Sequence, residues 1–270
     1  MIDRVGEALV NVRLKKPLVH HITNYVTVND CANICLAIGG SPIMADAIEE
    51  TEDIVTISSS LVINMGTLNK RTVASMITAG RKANEIGVPV VFDPVGAGAS
   101  TFRNETALRL LDEIKFSIIR GNLSEIRFLV ENHSTTKGVD VSSEDINSDA
   151  FAITEQCARK LSCVIACTGK VDVISDGVNT VLINNGHEML SDVTGTGCMC
   201  TTLVGAFCGA NDDVLGAAVA GVISMGIAGE IAHEKAKEIG LGSFRISIID
   251  AISKMDSKCL KGRACLEEKN

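Results

Sequence analysis

Apolar positions along the chain alternate between two rhythms, one of period 3.6 and one of short continuous runs. Val5, Leu9 and Val12 fall at helical spacing, which predicts an amphipathic opening helix over residues 1–15. Leu18 to Ile22 suits a short strand, Thr23-Asn24-Tyr25 a polar loop, and Val28 to Ile38 a helix closed by Gly39-Gly40. Ser41 to Ala45 reads as a second strand, with Met44 near its end. The alternation then repeats. Helices are predicted over Glu49 to Ile57, Lys70 to Ile86, Thr106 to Ile114 and Leu123 to Val130. Between them lie strands at Leu61 to Met65, Val88 to Phe92 and Phe116 to Ile119. A polar loop at His133 to Ser143 precedes a helix at Ala150 to Leu161 and a strand at Cys163 to Ala166. Val171 to Ile174 and Thr180 to Ile183 form a hairpin around Asp176-Gly177. The final third reads as mostly helical.

Apolar strands alternating with helices imply a mainly parallel sheet covered on both faces, a three-layer α/β/α sandwich. No linker, internal repeat or low-complexity segment divides the 270 residues, so one domain is expected. The uncharged run Val214 to Gly229 is shorter than the roughly 20 residues needed to span a bilayer. It is rich in Ala and Gly, and a buried, closely packed helix is the expectation.

Composition narrows the function classes. Aromatic residues are 3% of the chain, with no Trp and one Tyr, and the net charge is −8. Stacking platforms and basic stripes for nucleic acid are therefore lacking, and nucleic acid is excluded as a partner. The ten cysteines contain no CxxC pair, and most sit in apolar runs, as buried free thiols would. A reducing cytoplasm is the expected compartment. His20 and His21 are expected to be hydrogen-bonded structural residues flanking the site, His187 to lie in a loop near it, and His133 and His233 to sit at the surface.

Ligands of such sheets lie beyond the carboxyl ends of the strands. Asn24, Met44, Gly66, Asp93, Arg120, Asn122 and Thr168 occupy those predicted ends. The stretch SDVTGTGCMCTT, Ser191 to Thr202, brings Gly195, Thr196 and Gly197 to the start of a helix. That is a ready anion site, with Cys198 in the first turn, where thiol pKa values tend to fall. Asp93 in VVFDPVGAGAS suits either magnesium or a turn. Asn122 and Glu125 in NLSE suit an N-cap with its capping-box partner, or a carboxylate near a metal. Arg120 suits nucleotide phosphate, and Thr168-Gly169-Lys170 suits either phosphate or a plain turn. Together these parts describe phosphoryl transfer. No GxxxxGK[ST] loop and no protein-kinase signature is present, which points toward the ribokinase-like group.

The stretches PLVHHITNYVTVNDCANICLAIGGSPIMADAIEE, GVPVVFDPVGAGAS, IIRGNLSE and VTGTGC, in this order and spacing, resemble the hydroxyethylthiazole kinase family over nearly the whole chain. HHITNYV with SPIMA is the most diagnostic part. The resemblance implies a ribokinase-like fold and Mg-ATP-dependent phosphorylation of the primary alcohol of 4-methyl-5-(2-hydroxyethyl)thiazole, a thiamine salvage step. It implies that Asn24, Val26, Met44 and Gly195 line the thiazole pocket, that Arg120 and Thr168 contact ATP, and that Asp93 and Glu125 organise magnesium. It also implies a homotrimer with sites between subunits, with Cys198 as base where the wider superfamily places Asp. The rival readings are a kinase for hydroxymethylpyrimidine or pyridoxal, and a non-enzymatic thiol-rich metal or redox protein.

Overall fold

The computed structural model describes residues 1–132 and 146–269. The polar loop expected at His133 to Ser143, with His133 itself, lies outside the described residues. Helix α1 (Ile2–Lys15) leads into β1 (Leu18–Ile22), α2 (Val28–Ile38) and β2 (Ser41–Ile43). Then come α3 (Thr51–Ile57), β3 (Ser60–Asn64), α4 (Lys70–Ile86), β4 (Val90–Asp93), α5 (Thr101–Glu113), β5 (Ile118–Asn122) and α6 (Leu123–Asn132). Helix α7 (Ile146–Leu161) is followed by β6 (Val164–Thr168), β7 (Asp172–Ser175) and β8 (Thr180–Ile183). A short 3-10 helix (Glu188–Asp192) precedes α8 (Thr196–Ala210), α9 (Val214–Ala236), α10 (Leu241–Lys254), α11 (Ser257–Arg263) and β9 (Leu266–Lys269).

The strands form one sheet in the order β2-β1-β3-β4-β5-β6-β7-β8-β9. Pairing is parallel from β2 to β6 and antiparallel from β6 to β9. The sheet is thus mainly parallel, as the sequence pattern required. Period-two alternation sorts its side chains. Val19, Val62, Val91, Ile118 and Val164 face a core built with α1, α2, α8, α9 and α10. Leu61, Ile63, Phe92, Ile119 and Ile165 face the opposite core, built with residues of α3 to α7. Three layers result.

The chain runs from β1 outward to β2, then crosses back to β3 on the other side of β1. This reversal places a switch point between the carboxyl ends of β1 and β3, where ligands of such sheets lie.

Several boundaries differ from expectation. The strand expected to run to Ala45 stops at Ile43, and Ala45 C=O instead accepts a hydrogen bond from His20 Nε2 at 2.6 Å. Helix α5 begins five residues before the predicted Thr106, because Ser100 caps it through the N–H of Arg103. The final third is not only helical. Leu266–Lys269 pairs antiparallel with β8, Leu266 opposite Ile183. Its sequence, LEEK, is polar because it is a solvent-exposed edge strand, and such strands carry charge.

Helix α9 is long and apolar, and 83% of its most apolar window is buried. A Cβ on Gly221 would meet the Val204 backbone nitrogen at 2.7 Å, so α8 and α9 pack backbone against backbone. The Ala- and Gly-rich composition serves that approach, and α9 is a core helix.

Candidate active site

The same two-residue period that builds the core also builds the site. Asn64 shares a face with Val62, Asp93 with Val91, Arg120 with Ile118, and Thr168 with Val164. All four therefore project from strand carboxyl ends toward the face covered by α8. Asn64 and Asp93 are paired in register, as are Asn122 and Thr168.

Helix α8 enters over this row. Its N-cap, Gly195, has φ +91°, and a Cβ there would lie 2.7 Å from Thr27 Cγ2. Glycine is required on both counts. The first intrahelical bond runs from Met199 N–H to Gly195 C=O at 2.8 Å. The N–H groups of Thr196, Gly197 and Cys198 precede it and lie at the positive end of the helix dipole. Thr196 Oγ1 donates to Leu190 C=O at 2.8 Å and fixes the incoming loop.

Beneath α8 the polar side chains form a continuous network. Asn24 Oδ1 accepts from Thr27 N–H (3.1 Å) and Thr27 Oγ1 (3.0 Å), which winds the β1–α2 loop. Asn24 Nδ2 donates to Asn64 Oδ1 (2.9 Å) and approaches Cys198 Sγ (3.3 Å). Asn64 Nδ2 donates to Asp93 Oδ2 (2.8 Å) and lies 3.3 Å from Cys198 Sγ. Thr201 Oγ1 also donates to Asp93 Oδ2 at 2.8 Å. Asp93 Oδ1 is buried with no partner, and so is Arg120 Nε. His20 Nδ1, His21 Nε2 and Thr202 Oγ1 are buried without partners as well, and each such atom calls for a ligand, ion or water to complete it.

Burial pushes the Asp93 carboxyl up to about 6, with Glu125 adding to the rise and Arg120, Thr201 and Asn64 opposing it. Burial and the Asp93 charge push the Cys198 thiol up as well, against the donors from Thr27, Asn24 and Asn64. The fall expected of a first-turn thiol is thus overturned, because desolvation under the loop outweighs the helix terminus. Burial works against the charge on Arg120, yet the ionisable groups around it, Cys200, Asp93, Glu125 and Asp172, hold its guanidinium above the ordinary value.

Arg120 Nη2 donates to Thr168 Oγ1 at 2.6 Å, joining the two residues expected at the nucleotide. Glu125 forms the expected capping box. Its N–H donates to Asn122 Oδ1 (3.0 Å), and its Oε2 accepts from Asn122 N–H (2.9 Å). Its Oε1 accepts from Gly96 N–H (2.8 Å), which ties the Asp93 loop to α6. Val26 is exposed, Met44 half-buried and Asn24 buried. Among the described residues no group of three or more His, Cys, Asp or Glu converges.

His20 and His21 are structural, each with one ring nitrogen on a backbone carbonyl, Ala45 and Val19 respectively. His187 caps the 3-10 helix through Met189 N–H and stacks on half-buried His233 with ring centroids 3.6 Å apart. His233 is thus a packed residue rather than a free surface one. Cys200 and Cys208 are buried on α8, and all ten cysteines are free.

Asn64, Thr27, Thr201 and Arg103 escaped the sequence reading. Arg103 donates to the carbonyls of Met65, Val95 and Gly66, each at 2.6 Å, and so clamps two site loops together. Asn64 carried a readable signal, a polar residue ending the apolar run LVIN. Extending that strand to Met65 hid it.

A model of the hydroxyethylthiazole kinase family matches residues 9–258. The chain belongs to the hydroxyethylthiazole kinase family. It is 61% identical to the hydroxyethylthiazole kinase of Ruminiclostridium cellulolyticum, covering 98% of this chain and 97% of that protein. It is 60% identical to the enzyme of the same name from Clostridium beijerinckii, covering 96% and 95%. The solved structure of the hydroxyethylthiazole kinase from Pyrococcus horikoshii superposes with a TM-score of 0.90 at 38% identity, covering 98% and 99%. A ribokinase-like superfamily protein from Enterococcus faecalis shares the fold at a TM-score of 0.66 and 10% identity. This family member is therefore a kinase, and it has a ribokinase-like fold.

Proposed function

We propose that the protein transfers the γ-phosphoryl group of ATP to the primary alcohol of 4-methyl-5-(2-hydroxyethyl)thiazole. The observation that carries this reading is the opening of α8 onto the switch point, with Asp93 Oδ1 and Arg120 Nε both buried and unpartnered beneath it. The acceptor pocket is assigned to Val26, Met44, Gly195 and the loop wound on Asn24. The names of the relatives support the choice of alcohol.

The residues act by position and charge, because phosphoryl transfer leaves little covalent chemistry to the protein. The N–H groups of Thr196, Gly197 and Cys198 would hold the transferring oxygens from one side. Arg120, braced on Thr168, would hold the nucleotide phosphates from the other. Cys198 Sγ sits beside the acceptor's expected position. With its thiol raised it keeps its proton near neutral pH, so it contributes little as a general base.

Asp93 fits magnesium through its free, buried Oδ1, and both Glu125 oxygens retain a lone pair beyond their backbone partners. Two carboxylates suit a magnesium ion held chiefly by substrate phosphates and waters. When bound, magnesium screens the phosphate oxygens.

We assign the chain a single domain, supported by the one sheet that runs from β1 to β9. We place it in the cytoplasm, supported by its ten free thiols. We also infer a homotrimer, supported by the exposed apolar Tyr25 and Val26 beside the site. Analytical ultracentrifugation tests the trimer, and a monomer would refute it.

The test of function is ATP-dependent phosphorylation of hydroxyethylthiazole, hydroxymethylpyrimidine and pyridoxal side by side, with and without magnesium. Magnesium-dependent turnover of the thiazole alone is expected. Turnover of another alcohol would overturn the pocket assignment, and no turnover by folded protein would overturn the kinase reading.

A further inference from the structure

Asn64 ends β3 and is only 2% exposed. Its amide has one possible orientation. Oδ1 accepts from Asn24 Nδ2 at 2.9 Å and from Gly66 N–H at 2.8 Å. The NH2 group donates to Asp93 Oδ2 at 2.8 Å and approaches Cys198 Sγ at 3.3 Å. A flipped amide would set oxygen against a carboxylate and nitrogen against two donors. Both consequences fall on the site. Asp93 Oδ2 receives two donors, from Asn64 and Thr201, so the carboxyl plane is fixed and Oδ1 stays free. Cys198 Sγ faces two amide donors, from Asn64 and Asn24, so its lone pairs are turned toward the sheet.

We propose that Asn64 is a positioning residue for the transfer step: its amide joins the nucleotide half of the site, through Asp93, to the acceptor half, through Asn24 and Cys198, and sets both before either substrate arrives. The proposal rests on the phosphoryl-transfer roles given above to Asp93 and Cys198. A residue that merely fastened β3 to its neighbours would need only the Oδ1 bonds to Asn24 and Gly66. A positioning residue needs the NH2 side. Asn64→Asp separates the two roles. It keeps the shape and the Oδ1 acceptor, but it sets a second carboxyl against Asp93, where the two oxygens repel or share one proton. Asn64→Ala, which removes the donor without adding charge, is measured beside it.

Two measurements on the full-length protein test this. In steady-state kinetics, Asn64→Asp should lower kcat about 100-fold, the scale of losing one preorganised donor. KM for the alcohol should change less than about threefold, and both variants are compared at a temperature where each is fully folded. In the substrate-free protein, iodoacetamide modification is followed by mass spectrometry, with exposed Cys265 as the internal reference. Cys198 should react about tenfold more slowly relative to Cys265 in Asn64→Asp and also more slowly in the uncharged Asn64→Ala, because a donor that favours the thiolate has been lost. Slowing in Asn64→Asp alone would report its added charge and overturn the proposal. An unchanged Cys198 rate overturns the proposal. So does a kcat loss that runs in parallel with loss of folding. Failure of the parent protein to phosphorylate the thiazole would refute the substrate reading alone, since the alkylation comparison still decides the role of Asn64.

Discussion

Gly197 lies directly against the Arg120 guanidinium: a Cβ built on Gly197 would sit 2.7 Å from Arg120 Nη1. The α8 N-terminus and Arg120 thus meet across one glycine. In Gly197→Ala the yielding partner is the far end of a flexible side chain, and alanine improves helix propensity by about 0.5–1 kcal/mol. We expect a thermal midpoint near that of the parent and a KM for ATP raised about tenfold. KM for the alcohol should change much less. Equal changes in both KM values would show that Arg120 does not serve the nucleotide.

Cys198→Ala should lower kcat by no more than about tenfold at neutral pH, below the roughly 100-fold that an effective general base contributes. The reason is the raised thiol, which burial and the Asp93 charge keep protonated. Cys198→Asp should retain activity or exceed the parent. A loss of several hundredfold in the alanine variant would restore a base role to the sulfur.

Asp172 is buried near Arg120, and burial pushes its carboxyl up to about 7, against the Gly169 N–H and Arg120. The unfolded carboxyl titrates near 3.9. Between about 4 and 7 the native state binds the extra proton, so this group makes stability fall as pH rises. His21 has the opposite sign: burial lowers it to about 4, so its contribution makes stability fall as pH drops below about 6.5. The two slopes oppose each other, so parent and variant must be compared. Asp172→Asn keeps the oxygen that accepts from Gly169 N–H (2.9 Å). Its stability relative to the parent should rise with pH across this window, as read from denaturant midpoints. A pH-independent difference would show that Asp172 ionises normally.

Gly221→Ala tests the α8–α9 contact. The added methyl meets the Val204 Cα and nitrogen, both at 2.7 Å, and backbone cannot rotate away. Overpacking of this kind costs about 1–3 kcal/mol. At roughly 2–4 °C per kcal/mol for a chain approaching this size, the thermal midpoint should fall about 2–12 °C. Catalytic constants at low temperature should stay near parent values. An unshifted midpoint would mean that the helices separate without strain.

Much of the fold was legible because its signals are local. The runs LVHHI, LVIN and VVFD are each long enough for a strand, and each ends where polarity returns. The Gly-Thr-Gly lead into α8 carried the helix entry, and NLSE carried the capping box that the structure forms. What escaped was non-local. Arg103 reads as one basic residue on an exposed helix, and only the folded chain brings the carbonyls of residues 65, 66 and 95 to its guanidinium. β9 escaped because a polar edge strand takes its hydrogen bonds from a neighbour some eighty residues earlier, and no pattern within LEEK announces that.

The sequence by itself determined the alternation of strands and helices, the glycine entry to α8 and the strand ends that bear Asp93, Arg120 and Thr168. Each of these follows from short-range sterics, side-chain period and backbone freedom. Only the tertiary structure decided the charge state of the site and the wiring beneath it. Whether Cys198 and Asp93 hold their protons depends on how much water the packed loops exclude and on which donors arrive from other strands. Asn64 acquired its four partners from the β1–α2 loop, the turn after β3, β4 and α8, an arrangement that exists only when the sheet has brought those segments together.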